Sequence, residues 1–181
     1  VSKSAAGTIS FVEQTELVKS ANAALITALG AGSATGDLVE VHSYSTKWTV
    51  SGAAGSEVVT AGTLKSHAYQ IEMNDGSTRL KSEKVVAGVA KGEWTYVEQV
   101  EVDRTSVGFG TDTLELELGL YGTDWEDSVV THVKSSKAAF NESPRALTSE
   151  AYQAQSKDEK TTRLVSKSAA GTISFVEQTE L

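Results

Sequence analysis

Apolar and polar residues alternate along several stretches of the chain. In Leu114–Leu120, leucines at every second position are separated by two glutamates and a glycine, and Trp94 and Tyr96 flank a threonine. Successive side chains of a strand point to opposite faces, so a period of two residues predicts strands with one buried face. The framework of the chain is therefore predicted to be β.

Two features interrupt this alternation. Asn74–Gly76 separates two strand-like stretches, and its Asn-Asp-Gly sequence predicts a hairpin turn because these residues tolerate positive φ. Leu17–Leu29 has apolar residues near helical spacing, and Gly30 follows as a stop. The sequence predicts one short helix here and none at the corresponding place in the second half.

The chain repeats itself, once without change and once in diverged form. The first seventeen residues, Val1–Leu17, recur unchanged at Val165–Leu181. Four further segments recur in the same order, which predicts a unit of about 80 residues that occurs twice. The matched pairs are Gly7–Leu17 with Gly92–Val102, Glu40–Trp48 with Glu117–Trp125, Val58–Thr60 with Val129–Thr131, and Leu64–Leu80 with Leu147–Leu164.

Each unit offers about five strands, enough for a small antiparallel sandwich or barrel. We therefore expect an all-β protein of two tandem domains related by the internal repeat, with the short helix in the first. The predicted division is a spare, donor strand at 1–17, a first domain at 18–102 and a second at 103–181. The exact copy at 165–181 is predicted to close the second domain.

Composition excludes several classes of partner and cofactor. The formal net charge is −8, which disfavours nucleic acid and anionic membranes, because both require a basic face. No apolar run approaches the roughly 18 residues that span a bilayer. The chain has no cysteine for disulfides or thiolate metal sites, and no cofactor is predicted. It begins at Val1 without Met or a signal peptide, which predicts a processed or excised protein.

The histidines do not indicate an enzyme. His42, His67 and His132 each align with a different residue type in the other unit, and no hydrolase, metalloprotease or nucleotide-binding motif is present. The sequence therefore predicts a protein without catalytic activity. An active site confined to one unit is the less favoured alternative.

Two aromatic pairs recur between the units: Tyr44 with Trp48, and Tyr121 with Trp125. Residues four apart on a strand share a face, so each pair would stack on a sugar ring or fill the core. Exchange among bulky apolar types at other aligned positions favours the core. The alternative is a lectin-like module with two carbohydrate sites and surface glycans as partners.

Acidic residues surround the second tryptophan. Asp124, Glu126 and Asp127 lie close enough in sequence for a calcium site, since Ca²⁺ takes several oxygen ligands from loops. No established calcium motif is present, so a solvated loop is the favoured interpretation.

The strand that contains Val-Glu-Gln, named the VEQ strand below, occurs three times, whereas every other matched segment occurs twice. Two explanations fit this count. Either the protein is an array of nearly identical double units, or subunits join head to tail when each lends its N-terminal strand to an open edge of its neighbour.

The duplicated end segment resembles the arrangement in donor-strand-complemented fimbrial and related filament subunits. This resemblance implies an extracellular or cell-surface structural protein whose partners are copies of itself. The junction would then be formed by apolar residues of the first and third VEQ strands. These are Ile9, Phe11, Val12, Leu17, Ile173, Phe175, Val176 and Leu181.

Overall fold

The computed structural model describes residues 2–3, 9–53 and 55–179. These residues form twelve strands, two short α-helices and one 3₁₀ turn, Lys19–Asn22. The helices are α1, Ala23–Ala28, and α2, Leu114–Glu117. The strands are β1 Ser2–Lys3, β2 Ile9–Leu17, β3 Leu38–Tyr44, β4 Thr49–Ser51, β5 Val58–Thr60, β6 Leu64–Glu72, β7 Thr78–Val86, β8 Val89–Val102, β9 Val130–Ser136, β10 Leu147–Gln155, β11 Thr161–Ser168 and β12 Ile173–Thr179.

Ten of the strands form one antiparallel sheet in the order β1-β2-β3-β6-β7-β8-β9-β10-β11-β12, and β4 and β5 form a separate hairpin. The all-β fold class is thus confirmed. The two units are not separate sandwiches or barrels, because β8 pairs with β7 on one side and with β9 on the other. A single open sheet runs through both units.

The predicted helix and hairpin of the first unit are present. The 3₁₀ turn and α1 occupy the stretch between β2 and β3, and Gly30 has a φ of 59° just after the helix. Asn74–Gly76 lies in the turn between β6 and β7, where Gly76 has a φ of 80°. Both glycines sit where an L side chain would be strained.

The prediction of a strand over Leu114–Leu120 is wrong, because this segment contains α2. The Thr113 side chain caps the helix by accepting a hydrogen bond from the Leu116 amide. Leu114 and Leu118, one turn apart, are buried, while Leu116 is 53% exposed. The alternating leucines therefore follow a helical period over this short span, and each unit has its own helix.

The strands also correct the alignment of the repeat. β2, β3, β6, β7 and β8 of the first unit correspond to β8, β9, β10, β11 and β12 of the second. Leu38–Tyr44 is therefore equivalent to Val130–Ser136, not to residues near Tyr121. Two of the four matched segment pairs are wrong, since Glu117–Trp125 begins in α2 and Val58–Thr60 lies in the β4–β5 hairpin.

Both helices pack on the same face of the sheet, where they create two buried clusters. In the first unit, Leu29 and Ala31 pack against Leu38 and Ile71. In the second unit, the cluster is larger and includes the tryptophan that follows α2. Its buried members are Leu114, Leu118, Leu120, Trp125, Val130, Ala154 and Val165.

An arginine joins the helix to the sheet in each unit. Arg79 donates to the carbonyls of Leu29 and Gly30, at the end of α1, and its Nε lies 3.3 Å from Glu98 of the VEQ strand β8. Carbonyls at a helix C-terminus lack intrahelical partners, so a guanidinium there satisfies them.

The second unit repeats this arrangement. Arg163 donates to the carbonyls of Leu118 and Gly119, at the end of α2, and its Nε lies 2.8 Å from Glu177 of the VEQ strand β12. In each unit, an equivalent arginine therefore joins the VEQ strand to the end of the helix.

Candidate functional site

The last VEQ strand lies at an edge of the sheet. Among the described residues, β12 pairs with β11 alone, and all seven of its positions are exposed. Phe175 is 65% exposed, Val176 43% and Ile173 40%. Such an edge offers unpaired backbone groups beside apolar side chains, which is the surface that strand addition uses.

The central VEQ strand shows what the same residues do when a further strand follows. Tyr96 of β8, the counterpart of Phe175, is only 9% exposed. It lies 6.2 Å from the ring of Phe140, which belongs to the loop between β9 and β10. The difference between the two aromatic residues arises from the strand and loop that follow β8.

Cross-strand register makes the three VEQ strands equivalent. Leu80 of β7 lies opposite Val97 of β8, and Leu164 of β11 lies opposite Val176 of β12. On its other side, β8 pairs with β9 as β2 pairs with β3. The central strand thus combines the two kinds of pairing that β2 and β12 have separately.

The first VEQ strand is paired rather than left spare. Seven register pairs join Phe11–Leu17 of β2 to β3. Phe11 packs edge-on against Trp48 at 5.8 Å, and Leu17 packs against the first buried cluster. Val12 is 38% exposed on the opposite face. For Ile9 the structure describes only the backbone, and Leu181 lies outside the described residues.

The short strand β1 shows that the exact copy includes part of a hairpin. Ser2 pairs with Ser10 and Lys3 with Ile9. In the second copy the same pairing joins Ser166 of β11 to Ser174 of β12. The repeated seventeen residues therefore comprise the end of a β11-type strand, a turn and a VEQ strand.

The aromatic pairs do not form two equivalent platforms. Tyr44 is 7% exposed and donates to Glu13, and burial raises its pKa together with that hydrogen bond. Trp125 is 5% exposed and lies beneath the guanidinium of Arg163, whereas Tyr121 is 58% exposed. Tyr44 and Trp125 therefore belong to packed regions, as the core interpretation predicts, and Trp48 is half-buried against Phe11.

The acidic residues around Trp125 lie in exposed turns. The Glu126 carbonyl accepts from Arg104, and the Asp127 carboxylate lies 3.5 Å from Lys157 Nζ. The backbone carbonyl of Asp124 accepts from the Lys157 amide. In the described part of the chain, the three carboxylates do not form a group with metal-site geometry.

A second group of side chains lies in the first unit, on the face of the sheet against which the helices pack; we call this face the covered face. Glu13, His42, His67, Glu83 and Trp94 are direct cross-strand partners in that order on β2, β3, β6, β7 and β8. We call these residues the imidazole row. Sequence reasoning missed it because the residues are far apart in the chain and meet only through strand register.

Glu40 approaches this row diagonally. One oxygen of its carboxylate lies 2.9 Å from Nε2 of His67 and 3.9 Å from Nε2 of His42. On the other side of His67, Nδ1 lies 2.7 Å from the Glu83 carboxylate. This contact with His67 is the main cause that lowers the pKa of Glu83.

The equivalent positions in the second unit hold a simpler pair. His132 of β9 lies 2.7 Å from Glu150 of β10, where the first unit has Glu40 and His67. The two units thus exchange histidine and glutamate across the same strand pair. Burial lowers the pKa of His132, although the hydrogen bond to Glu150 acts in the opposite direction.

No protein-family model, curated protein or solved structure matches this chain. Within the described ranges, every helix is too short or too polar to cross a bilayer.

Proposed function

We propose that this protein is a structural subunit of an extended extracellular or cell-surface assembly, and that copies join head to tail through the VEQ strand. The observation that carries the proposal is the double pairing of β8. β12 pairs with β11, which is equivalent to β7, and β2 pairs with β3, which is equivalent to β9. Within the described residues, β12 has no neighbour on its other side, and β2 has on its other side only the two pairs with the short strand β1.

Sequence identity makes an exchange between copies straightforward. β12 of one copy would pair with β3 of the next and replace that copy's own β2, without any change in side chains. Phe175 would then meet Trp48 of the next copy, as Phe11 meets Trp48 within the chain. The most exposed aromatic ring of the edge would be covered.

In the full chain the β12–β3 ladder would replace an equal β2–β3 ladder, so a net gain in stability arises where the acceptor lacks its own β2. That gain would come from two sources. The new ladder would repeat the seven register pairs that join β2 to β3. Each backbone hydrogen bond contributes on the order of 1 kcal/mol net, and burial of apolar area adds about 25 cal/mol per Å². A sheet that continues across the junction also removes an exposed edge.

Truncation of either terminal copy tests the proposal. A chain of residues 1–164 has β2 but lacks β12 and the second half of β11, including the buried Val165. The identical segment Val1–Leu17 of a neighbouring copy can supply both. A chain of residues 18–181 has β12 but lacks the VEQ strand for β3. We expect each to assemble into head-to-tail polymers, measured by sedimentation velocity and electron microscopy. Residues 18–164 lack both donors and serve as the matched control, which should not polymerise by this route.

The full chain of residues 1–181 should assemble more slowly than either truncated chain, because its own strands occupy both acceptor positions. If the 1–164 and 18–181 chains remain monomeric with the thermal stability of the full chain, strand exchange is wrong. Polymerisation of the 18–164 control to the same extent would show that another surface drives assembly.

A further inference from the structure

We propose that His42, His67 and Glu40 form a binding site for a zinc-type divalent metal ion on the first unit. One ligand atom from each residue lies within 4.8 Å of the other two. A tetrahedral Zn²⁺ with bonds of about 2.0–2.1 Å holds its ligand atoms about 3.3 Å apart. The distances from Glu40 to the two Nε2 atoms, 2.9 and 3.9 Å, lie on either side of that value.

Hydrogen-bond chemistry at His67 calls for a cation. Both of its ring nitrogens face carboxylates, Nδ1 toward Glu83 and Nε2 toward Glu40. A neutral imidazole has one N–H and donates to only one of them. A second proton or a metal ion at Nε2 resolves this conflict. With the metal, Nδ1–H donates to Glu83 and the Glu40 oxygen becomes a ligand.

Glu83 has the role of an outer-shell partner in this arrangement. Metal-binding histidines usually donate their second ring N–H to a carboxylate or carbonyl, which fixes the ring and makes it a better ligand. The Glu83 side chain is 9% exposed and also accepts from the Gly92 amide. His67 is therefore oriented by the Glu83 carboxylate, which is itself fixed by the hydrogen bond from Gly92.

The two imidazole rings are stacked, with centroids 4.4 Å apart and planes 5° from parallel. His42 must turn for its Nε2 to point at a shared ion. Its side chain is 26% exposed, compared with 12% for His67, so it is the ring with room to move. A water molecule would complete the coordination, as is usual where three protein ligands bind zinc.

The second unit provides an internal comparison for the charge of the site. Its equivalent row is Glu98, Lys134, Glu150, Lys167 and Ile173, again direct cross-strand partners. Acidic and basic residues alternate there, so every carboxylate has a lysine beside it.

In the imidazole row, histidines stand where the second unit has Lys134 and Glu150, and Glu83 stands in place of Lys167. Glu13, Glu40 and Glu83 bring three carboxylates to the row and its diagonal neighbour. The closest lysine on β7, Lys81, lies over the ring of Trp94 at 4.3 Å. A bound dication supplies the positive charge that lysines supply in the second unit.

Titration of the tag-free chain of residues 1–181 with ZnCl₂ tests the site by calorimetry, and Co²⁺ absorption reports the ligand geometry. We expect one Zn²⁺ per chain and a rise in melting temperature on addition of the metal. His42→Lys, which installs the residue of the second unit, and His67→Gln should each weaken binding at least tenfold. Glu83→Gln should weaken it about 10- to 100-fold through the outer shell.

His132→Gln is the matched control, because it removes the histidine of the equivalent pair in the second unit. It should bind Zn²⁺ as the parent chain does. Far-UV circular dichroism identifies variants that fail to fold. The proposal is overturned if the folded parent chain binds no Zn²⁺ at millimolar concentration, if His42→Lys binds it unchanged, or if His132→Gln loses it equally.

Discussion

The two units of this protein have the same strand plan but use it differently. In the first unit, the face of the sheet that the helices cover has two histidines among three carboxylates. In the second unit, the equivalent row alternates between acid and lysine, and His132 stands in place of Glu40. The helix, the arginine and the VEQ strand keep the same relation in both. The elements that the units share stabilise the sheet. The positions at which they differ are where we expect a function confined to one unit.

The edges differ in a second way. A VEQ strand ends each unit, and within the described residues that of the first unit is followed by a helix, a strand and a loop that cover it. As a result, Tyr96 is buried and Phe175 is exposed. The exposure of the aromatic residue at this position therefore depends on the strand and loop that pack beside the VEQ strand.

The largest effects should come from the helix leucines. Leu29→Ala and Leu118→Ala each remove a buried side chain from one cluster and should lower the free energy of unfolding by about 2–5 kcal/mol. Because β8 belongs to both units, we expect both variants to shift a single urea transition, followed by tryptophan fluorescence and circular dichroism. Two separate transitions, each affected by one variant alone, would show that the units are independent domains.

The arginines should give the next largest effects. Arg79→Ala and Arg163→Ala each leave two helix-end carbonyls and a VEQ glutamate without the guanidinium, which should cost about 1.5–3 kcal/mol. The exposed Glu177 contributes little of this, so most of the loss comes from the carbonyls.

Hydrogen exchange distinguishes the two arginine variants. Arg163→Ala should increase exchange along β12, which has one neighbour, while β8 in Arg79→Ala remains held by β9. Equal protection of β12 in both variants would contradict the role of Arg163 in holding the edge strand.

A smaller effect is expected from the histidine of the second unit. Burial lowers the pKa of His132 in the folded chain below its ordinary value of 6.5. The unfolded chain therefore binds a proton more readily, and this contribution to stability is present above pH 6.5 and is lost as the pH falls through the lower, folded-state pKa. His132→Gln should flatten the dependence of unfolding free energy on pH between 7.5 and 5, measured by urea unfolding. An unchanged slope would assign that dependence to other groups.

The smallest effect concerns the helix caps. Thr113→Ala removes a side-chain cap from α2 and should cost about 0.5–1 kcal/mol. Asn22, at the same place before α1, makes no such cap, so Asn22→Ala should change stability by no more than about 0.5 kcal/mol. Chemical denaturation of the two variants side by side measures the difference, and a larger loss for Asn22→Ala would contradict the assignment of caps.

Much of the fold could be predicted from local pattern. The VEQ strands, the hairpin at Asn74–Gly76 and the helix before Gly30 each have a signal within a few residues. The helix at Leu114 was missed because leucines at i and i+4 also satisfy a period of two. The Leu-Gly pair that ends both helices, at Leu29 and Leu118, is the signal that would have found it.

The candidate sites depend on register, which local pattern does not give. Nothing near His42 in the sequence indicates that His67 lies directly opposite it. The exchange of histidine and glutamate between the units follows from the equivalence of β3 and β9, which depends on strand pairing. The prediction from sequence that the VEQ strand forms the junction remains a prediction.

A peptide experiment tests the shared role of the VEQ strand most directly. The seventeen-residue peptide of residues 1–17 is added to the 1–164 chain before assembly, and sedimentation velocity follows the size of the species. We predict that one peptide binds per chain, supplies the missing end of β11 and the VEQ strand beside it, and keeps the protein monomeric, while a peptide with Phe11→Glu and Val12→Glu does not. If the unaltered peptide neither binds nor changes the sedimentation of the 1–164 chain, the VEQ strand is not the junction between copies.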